Sequence, residues 1–150
     1  MKLRLLFMPL VAAALVAPAL AYASLGDDVS SMQADQLHMK GSLRVLRTEL
    51  NYTVKEIQLP SGTKVREYVA KNGTIFGVAW KGATKPNLNQ LLGQYYESYK
   101  SAPRVGFNRS NQTIQTADLV VHATGHMRAY AGNAYVLSLL PQGVTPKEIN

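Results

Sequence analysis

Few residues of this sequence have the types and spacings that suit chemistry at a site. Its histidines are His38, His122 and His126, and it has no cysteine, which excludes thiolate nucleophiles, thiolate zinc sites and disulfides. His122 and His126 have the spacing of metal ligands on a helix, but they flank a predicted hairpin turn, where their rings do not converge on one ion. No glycine-rich phosphate loop, Gly-x-Ser-x-Gly elbow or His-Glu-x-x-His helix occurs. The sequence therefore predicts no catalytic motif, no metal site and no cofactor.

Glu67 is a charged candidate because the predicted strand register places it, with Lys55, on an apolar sheet face. An isolated buried carboxylate is costly, so Glu67 must be paired or must reach the sheet margin. One interpretation is a pre-positioned acid beside a pocket, used by a small hydrolase or lyase with help from His122 or Arg66. The other interpretation, which we favour, is a structural ion pair between Glu67 and Lys55.

Aromatic side chains are the second group of candidates, because they could line a groove that stacks on sugar rings or on a peptide. The aromatic residues in question are Trp80, Tyr95, Tyr96 and Tyr99, with Tyr68, Tyr130 and Tyr135. Tyr96 lies on the flank of a predicted helical stripe, which favours an exposed ring. A tyrosine stripe at helical spacing is more often core packing, and we favour that interpretation. The predicted binding residues are Trp80, Tyr95, Tyr96, Tyr99, Arg66 and Glu67.

Two tight turns are predicted to hold these residues on a three-stranded antiparallel meander. Residues 59–63 carry proline and glycine where a hairpin connection with a bulge requires them. This turn places Ile57 opposite Val65. It also places Glu56 opposite Arg66, so apolar residues meet apolar ones and an acid meets a base.

Asn72-Gly73 is the strongest two-residue hairpin signal and defines the second turn. It places Val69 opposite Phe76, and Val65 opposite Trp80. The predicted apolar face consists of Ile57, Leu59, Val65, Val69, Phe76, Val78 and Trp80. Because the third strand is apolar on both faces, we expect another strand to pair beside it.

A helix is predicted to cover this face. Its apolar stripe is formed by Leu88, Leu91, Leu92, Tyr95 and Tyr99, and Asn87 is a suitable N-cap. Residues 118–124 and 127–131 are predicted to form a C-terminal hairpin, with its turn at Thr124-Gly125, and residues 101–116 a loop. A short helix is predicted over residues 27–40, and residues 42–50 are consistent either with a strand or with a continuation of this helix. The fold class that follows is α+β, an antiparallel sheet of a three-stranded meander plus a C-terminal hairpin, covered on one face by an α-helix.

The N-terminal 23 residues have the pattern of a secretory signal peptide. A basic start precedes an apolar run over residues 5–20, and small residues follow at the cleavage positions. Cleavage is predicted between Ala23 and Ser24, with cleavage after Ala21 as the alternative. The apolar run is shorter than the roughly 20 residues that span a bilayer, so we expect no membrane span after cleavage.

Composition is typical of one globular domain, predicted over residues 24–150. Of the 150 residues, 47% are hydrophobic and 17% are charged, which argues against disorder. The formal charge is +7, but the basic residues are scattered, so nucleic acid is not an expected partner. A solvated basic surface is favoured, with weak binding of polyanions as an alternative.

Six short motifs follow one another along the chain. They are Leu59-Pro60-Ser61-Gly62-Thr63, Val65-Arg66-Glu67-Tyr68-Val69, Phe76-Gly77-Val78-Ala79-Trp80, Leu91-Leu92-Gly93-x-Tyr95, Met127-Arg128-Ala129-Tyr130 and Leu139-Leu140-Pro141-x-Gly143-Val144. Together they resemble the motifs of one family of small exported bacterial proteins, the domain of unknown function 2844. The resemblance covers nearly all of the chain after the signal peptide. It implies a Gram-negative envelope or secreted location, and it brings no activity, cofactor or catalytic residue.

The function predicted from these observations is that of an exported, non-catalytic binding or accessory protein, located in the periplasm or outside the cell. The tyrosine-rich helix, the polar loop and the lack of a catalytic motif favour it. The expected partner is an envelope or secreted protein or polymer of unknown identity. The alternatives are a small envelope hydrolase or lyase using Glu67, and a weak polyanion-binding module.

Overall fold

The computed structural model describes residues 24–28, 42–104 and 110–150. The predicted signal peptide, including Ala23, and most of the helix predicted over residues 27–40 lie outside the described residues, as does His38.

Seven strands form one antiparallel sheet in the order β1-β2-β3-β4-β7-β6-β5. The strands are β1 (Ser42–Thr48), β2 (Tyr52–Gln58), β3 (Lys64–Ala70), β4 (Ile75–Gly82), β5 (Asn111–Gln115), β6 (Leu119–His126) and β7 (Ala129–Val136). Strands β1 to β4 follow one another as neighbours, and so do β5 to β7. The two groups join where β4 pairs with β7, so the apolar strand β4 has a partner on each side, as expected.

The predicted fold class is wrong: the described residues form mostly a seven-stranded antiparallel sheet, and the helical segment between β4 and β5 is short. The predicted sheet included neither edge strand, although residues 42–50 were left open between a strand and a continuation of the N-terminal helix. β1 is exposed along most of its length, and β5 buries only Ile114, where a loop was expected. An edge strand lacks a neighbour on one side and here buries few side chains, so its sequence shows little apolar alternation.

The predicted register of the first hairpin is confirmed, including the pairs Ile57 with Val65 and Glu56 with Arg66. In the second hairpin, a shift after Tyr68 pairs Val69 with Ile75 instead of Phe76. This irregularity puts Ile75, and not Phe76, on the face predicted to be apolar.

The C-terminal hairpin forms, but its turn lies three residues later than predicted. β6 continues to His126 and β7 begins at Ala129, so the reversal takes place at Met127 and Arg128. Arg128 adopts φ 66°, in the left-handed region. The predicted turn at Gly125 is instead part of a paired strand, where Gly125 faces Tyr130.

The helical segment between β4 and β5 has two parts. They are α1 (Leu88–Leu92) and α2 (Tyr96–Ser101), joined by a 3₁₀ turn (Gly93–Tyr95). The side chain of Asn87 accepts from two backbone N–H groups and caps α1, as predicted. Gly93 adopts φ 47°, and Ser24 occupies the space that a Cβ there would fill, so the helix is broken at this residue. Within the described residues, no helix is long and apolar enough to cross a membrane.

The helical segment covers one face of the sheet, here called the helix-covered face. Leu88, Leu91 and Leu92 pack there against side chains from β3, β4, β6 and β7. Leu25 is fully buried in the same cluster, and its N–H donates to the carbonyl of Leu91. This face holds the largest apolar cluster of the described residues.

Residues 137–150, here called the C-terminal segment, cover the opposite face, the tail-covered face. Leu139, Leu140, Val144 and Ile149 of the segment pack against Tyr52, Val54, Tyr68, Phe76, Ala79, Val120 and Tyr135 of the sheet. Gly77 allows Ile149 to approach, because a Cβ at residue 77 would lie 2.9 Å from the Cδ1 of Ile149. Both faces of the central strands are therefore covered.

Candidate functional site

The predicted aromatic residues do not form an open groove. Trp80 and Tyr99 are buried in the cluster on the helix-covered face, and Tyr95 packs against it half-buried. Burial, helped by the charge of Asp118, raises the pKa of Tyr95. The ring of Trp80 lies against Gly132 of β7, where a Cβ would overlap it. These three side chains hold the helical segment on the sheet, as the core-packing interpretation expected.

Tyr96 is half-buried at the edge of the same cluster. Its ring stacks on that of Tyr99, with centroids 6.0 Å apart and an angle of 24° between the planes. Lys100 Nζ lies 5.6 Å from the centroid of the Tyr96 ring, a cation–π geometry, and Lys100 also pairs with Glu97 at 3.2 Å. Both neighbours come from α2 itself, so this group supports the end of the helix.

Glu67 lies on the helix-covered face and is only 1% exposed. Lys55 is its partner in the strand register, yet the two do not form an ion pair among those of the described residues. Arg66 and His122 project from the opposite face of the sheet, since the row Arg66, Ala79, Asn133, His122 crosses it there. The geometry therefore does not bring Glu67 together with the two groups expected to assist it.

The histidines of β6 also stand apart. His122 and His126 are four residues apart on one extended strand, a separation of roughly 13 Å between their Cα atoms. His122 Nδ1 lies 3.1 Å from the hydroxyl of Thr113. Among the described residues, no group of three or more His, Asp or Glu side chains could hold a metal ion.

Ser24, at the predicted cleavage site, is buried beside Gly93, and its hydroxyl donates to Asp27.

A cavity of about 580 Å³ opens at the margin of the C-terminal segment, and we call it the basic cavity. It is lined by Gly62, Lys64, Arg66, Ala79, Trp80, Lys81 and Asn150. Its volume lies within the ~300–1,000 Å³ typical of small-molecule sites. Three of the seven lining residues are cationic and none is acidic, so the cavity is a concave site of positive charge.

The two lysines of the basic cavity face each other across neighbouring strands. Lys64 of β3 is the register partner of Lys81 of β4, and both are exposed. Directly opposed like charges destabilise a sheet, by roughly 0.2–1 kcal/mol for such a pair. The repulsion between Lys64 and Lys81 therefore lowers the stability of the sheet slightly. An anion bound between the two ammonium groups would relieve this repulsion.

Arg66 is positioned by a buried carboxylate on the adjacent strand. Glu56, 1% exposed, accepts from Arg66 Nε at 3.1 Å and from Arg44 Nη2 at 2.6 Å. Arg44, Glu56 and Arg66 are register partners across β1, β2 and β3. Burial alone would raise the pKa of Glu56, but the hydrogen bonds and charges of the two arginines outweigh it and hold this pKa below its usual value. The carboxylate stays charged at neutral pH and fixes one edge of the Arg66 guanidinium.

The last residues of the C-terminal segment form one wall of the cavity. Arg66 Nη1 donates to the main-chain oxygen of Asn150 at 2.8 Å. The hydroxyl of Tyr68 donates to the same oxygen at 2.9 Å, and Asn133 Nδ2 donates to the carbonyl of Ile149 at 2.8 Å. These bonds hold the end of the C-terminal segment beside the cationic residues of the cavity, Lys64, Arg66 and Lys81.

Sequence reasoning found only part of this cavity. Arg66 and Trp80 were among the predicted binding residues, and Arg66 lines the cavity with a half-buried guanidinium. Lys64 and Lys81 were missed, although the register that pairs Val65 with Trp80 also pairs these two lysines. The signal was an opposed pair of like charges within an otherwise complementary hairpin.

A family model described as "Protein of unknown function (DUF2844)" matches residues 21–149, which agrees with the resemblance of the motifs. No curated protein and no solved structure matches the chain significantly.

Proposed function

The chain belongs to the DUF2844 family, and from that premise we propose that it is an exported binding protein whose ligand site is the basic cavity. The observation that carries this proposal is the opposed pair Lys64 and Lys81 beside the anchored Arg66, in a cavity of about 580 Å³. Small-molecule sites are concave, and a small number of polar or charged groups in them fixes the orientation of the ligand.

A binding role agrees better with this cavity than a catalytic one. General acid–base catalysis needs a group that can exchange a proton near neutral pH, most often an imidazole or a carboxylate. The residues that line the basic cavity include neither. These residues supply three cationic side chains and a few uncharged groups, which can hold and orient a ligand.

Export is proposed from the N-terminal sequence, in which a basic start, an apolar run and small residues at the cleavage positions follow one another. The periplasm or the medium is then the compartment of the ligand. Sequencing the N-terminus of the protein recovered from cells is the direct test. We expect it to begin at Ser24, and a protein that begins at Met1 would refute export.

Affinity capture tests the binding role. Tagged protein is incubated with an envelope extract of its own cells, and the recovered molecules are identified by mass spectrometry. The cavity variant is Lys64→Ala/Lys81→Ala. The control is Lys71→Ala/Lys85→Ala, which removes two exposed lysines that do not line the basic cavity and so changes the net charge equally.

We expect the wild-type protein and the control to recover the same specific partner, and the cavity variant to recover at least roughly tenfold less, since each charge-assisted contact is worth about 1.5–3 kcal/mol. Equal recovery by all three proteins would assign binding to another surface. Failure of the wild-type protein to enrich any molecule would refute the binding role.

A further inference from the structure

We infer that the ligand of the basic cavity carries a polyvalent oxyanion, either a phosphate group or two or three neighbouring carboxylates, on a larger uncharged body. This inference rests on the proposed function, because it names the ligand chemistry of the same site. It is carried by the number and placement of the cations, by the hydrogen-bonding capacity that Arg66 retains, and by the size of the cavity.

Lys64 and Lys81 place two ammonium groups side by side at the basic cavity. Their Cβ atoms are cross-strand neighbours, roughly 4.5–5.5 Å apart, and both side chains leave the same face of the sheet. Two ammonium groups on flexible stems at this spacing can converge on one oxyanion. An anion between them would convert a repulsive pair into two charge-assisted contacts.

Arg66 supplies the directional part of the site. A guanidinium has five N–H groups, and Arg66 donates one to Glu56 and one to Asn150. The remaining N–H groups lie on a side chain that lines the cavity and is held at two points. A planar, pre-oriented fork of this kind matches the oxygen pair of a carboxylate or a phosphate.

The charges around the cavity are unbalanced. Lys64, Arg66 and Lys81 line the cavity, and its lining residues include no acidic side chain. The nearby Glu56 pairs with both Arg66 and Arg44, so this group of three keeps one positive charge in excess. A monovalent anion would leave most of this excess in place. A group with two or three negative charges matches it, so we assign a polyvalent anion.

The rest of the cavity is larger than the anionic group needs. A volume of about 580 Å³ is suited to a molecule of drug size, and the lining residues include Ala79 and Gly62, which carry no charge. The oxyanion would therefore be one end of a larger molecule, and its uncharged part would contact these residues.

The test uses two defined probes, tripolyphosphate and citrate, which separate the phosphate source from the carboxylate source. Binding to the purified protein is measured by isothermal titration calorimetry, and the site is located from amide chemical shifts in ¹H–¹⁵N spectra. The variants are again Lys64→Ala/Lys81→Ala and the control Lys71→Ala/Lys85→Ala. The conservative variant Arg66→Lys keeps the charge and removes the fork.

We expect at least one probe to bind and to shift the amides of Lys64, Arg66 and Lys81. Binding should weaken at least roughly tenfold in Lys64→Ala/Lys81→Ala and by less than about twofold in the control. Arg66→Lys should weaken binding several-fold, and raising the salt concentration should weaken it further. Preference for one probe then identifies the oxyanion as phosphate or carboxylate.

Two results would overturn the inference. One is that neither probe binds at millimolar concentration, and the other is that both double variants weaken binding equally, which would indicate attraction to net charge alone. These results are distinct from failure of the proposed function. If the cavity variant lost the captured partner while neither probe bound, the binding role would stand and the oxyanion would be refuted.

Discussion

The helix-covered face and the tail-covered face of the sheet are closed in different ways. On the first, fifteen buried side chains form one cluster, and leucines of α1 supply much of its cover. On the second, the cluster has eight buried members, and hydrogen bonds from Asn51, Tyr52, Arg66, Tyr68 and Asn133 hold the C-terminal segment in place.

The difference indicates that the tail-covered face, whose cover is smaller, is the one that carries the candidate ligand site at its margin. Apolar burial stabilises in proportion to area, so the larger cluster is the main source of stability. On the tail-covered face, the C-terminal segment is held more by hydrogen bonds, and it ends beside Lys64, Arg66 and Lys81. The larger apolar cluster and the basic cavity therefore lie on opposite faces of the sheet. Substitutions on the helix-covered face should lower stability more than substitutions on the tail-covered face.

The largest effect is expected from Leu92→Ala on the helix-covered face. Leu92 is fully buried, so its truncation leaves a cavity and should lower the free energy of unfolding by about 3 kcal/mol in urea titrations. Leu50→Ala is the control, because Leu50 is 80% exposed and should change stability by less than about 0.5 kcal/mol. If Ile149→Ala on the tail-covered face cost more than Leu92→Ala, the ranking of the two faces would be reversed.

The next effect concerns Glu56, whose pKa lies below the usual value of 4.5 in the folded protein. A depressed carboxyl pKa contributes stability that is complete above the unfolded-state value and is lost as the pH falls through the folded-state value. Glu56→Gln should therefore cost about 2 kcal/mol at pH 7, a value limited by the partial exposure of both arginines. It should cost very little at low pH, because the protonated carboxyl of Glu56 is then as uncharged as the amide that replaces it.

Urea unfolding at a series of pH values between 7 and 2 measures this difference. Glu97→Gln is the matched control, since Glu97 pairs with Lys100 on the exposed side of α2 and should matter by less than about 0.5 kcal/mol at any pH. A cost for Glu56→Gln that did not change with pH would mean that the carboxylate is not what holds the arginines.

A smaller effect is expected where the C-terminal segment is held by Tyr52. Its hydroxyl donates to Glu148 at 2.7 Å, and burial together with this bond raises the pKa of Tyr52 to about 12. Tyr52→Phe should cost about 1 kcal/mol. In hydrogen exchange, the amide of Ile149 should exchange faster while that of Leu25, under the helix, should not change.

The wild-type contact should persist below pH 10 and weaken as the pH rises toward 12, because a raised pKa stabilises the fold only while the hydroxyl keeps its proton. If Tyr52→Phe accelerated exchange equally at Ile149 and Leu25, the two faces would open together, and their separation into two units would be wrong.

The smallest effect has the opposite sign. Lys64→Gln removes one of two opposed like charges, so it should stabilise the protein by about 0.3 kcal/mol at low salt and by less at high salt. Thermal unfolding at two salt concentrations detects it, with Lys71→Gln as the neutral control. A destabilised Lys64→Gln would show that this lysine serves the fold, and the cavity would lose its main argument.

Much of the central sheet could be predicted from the sequence because its turns have strong local signals. The turn around Pro60 and Gly62 fixed the register of β2 and β3, including the pair Glu56 with Arg66. The Asn87 cap and the leucine stripe likewise located the start of the helix. The irregularity after Tyr68, and the break at Gly93, depend on packing partners distant in sequence and had no local signal.

The sequence by itself determined the register of the first hairpin, the apolar stripe of the helix and the family, because each depends on residues close together in the chain or on motifs read in order. Only the tertiary structure decided that β1 and β5 complete the sheet, that Glu67 and His122 face opposite sides, and that the C-terminal segment stops beside two lysines. Edge pairing and face coverage arise from contacts between distant segments, and the free energy of such contacts is set by the surfaces that meet, which no local pattern encodes.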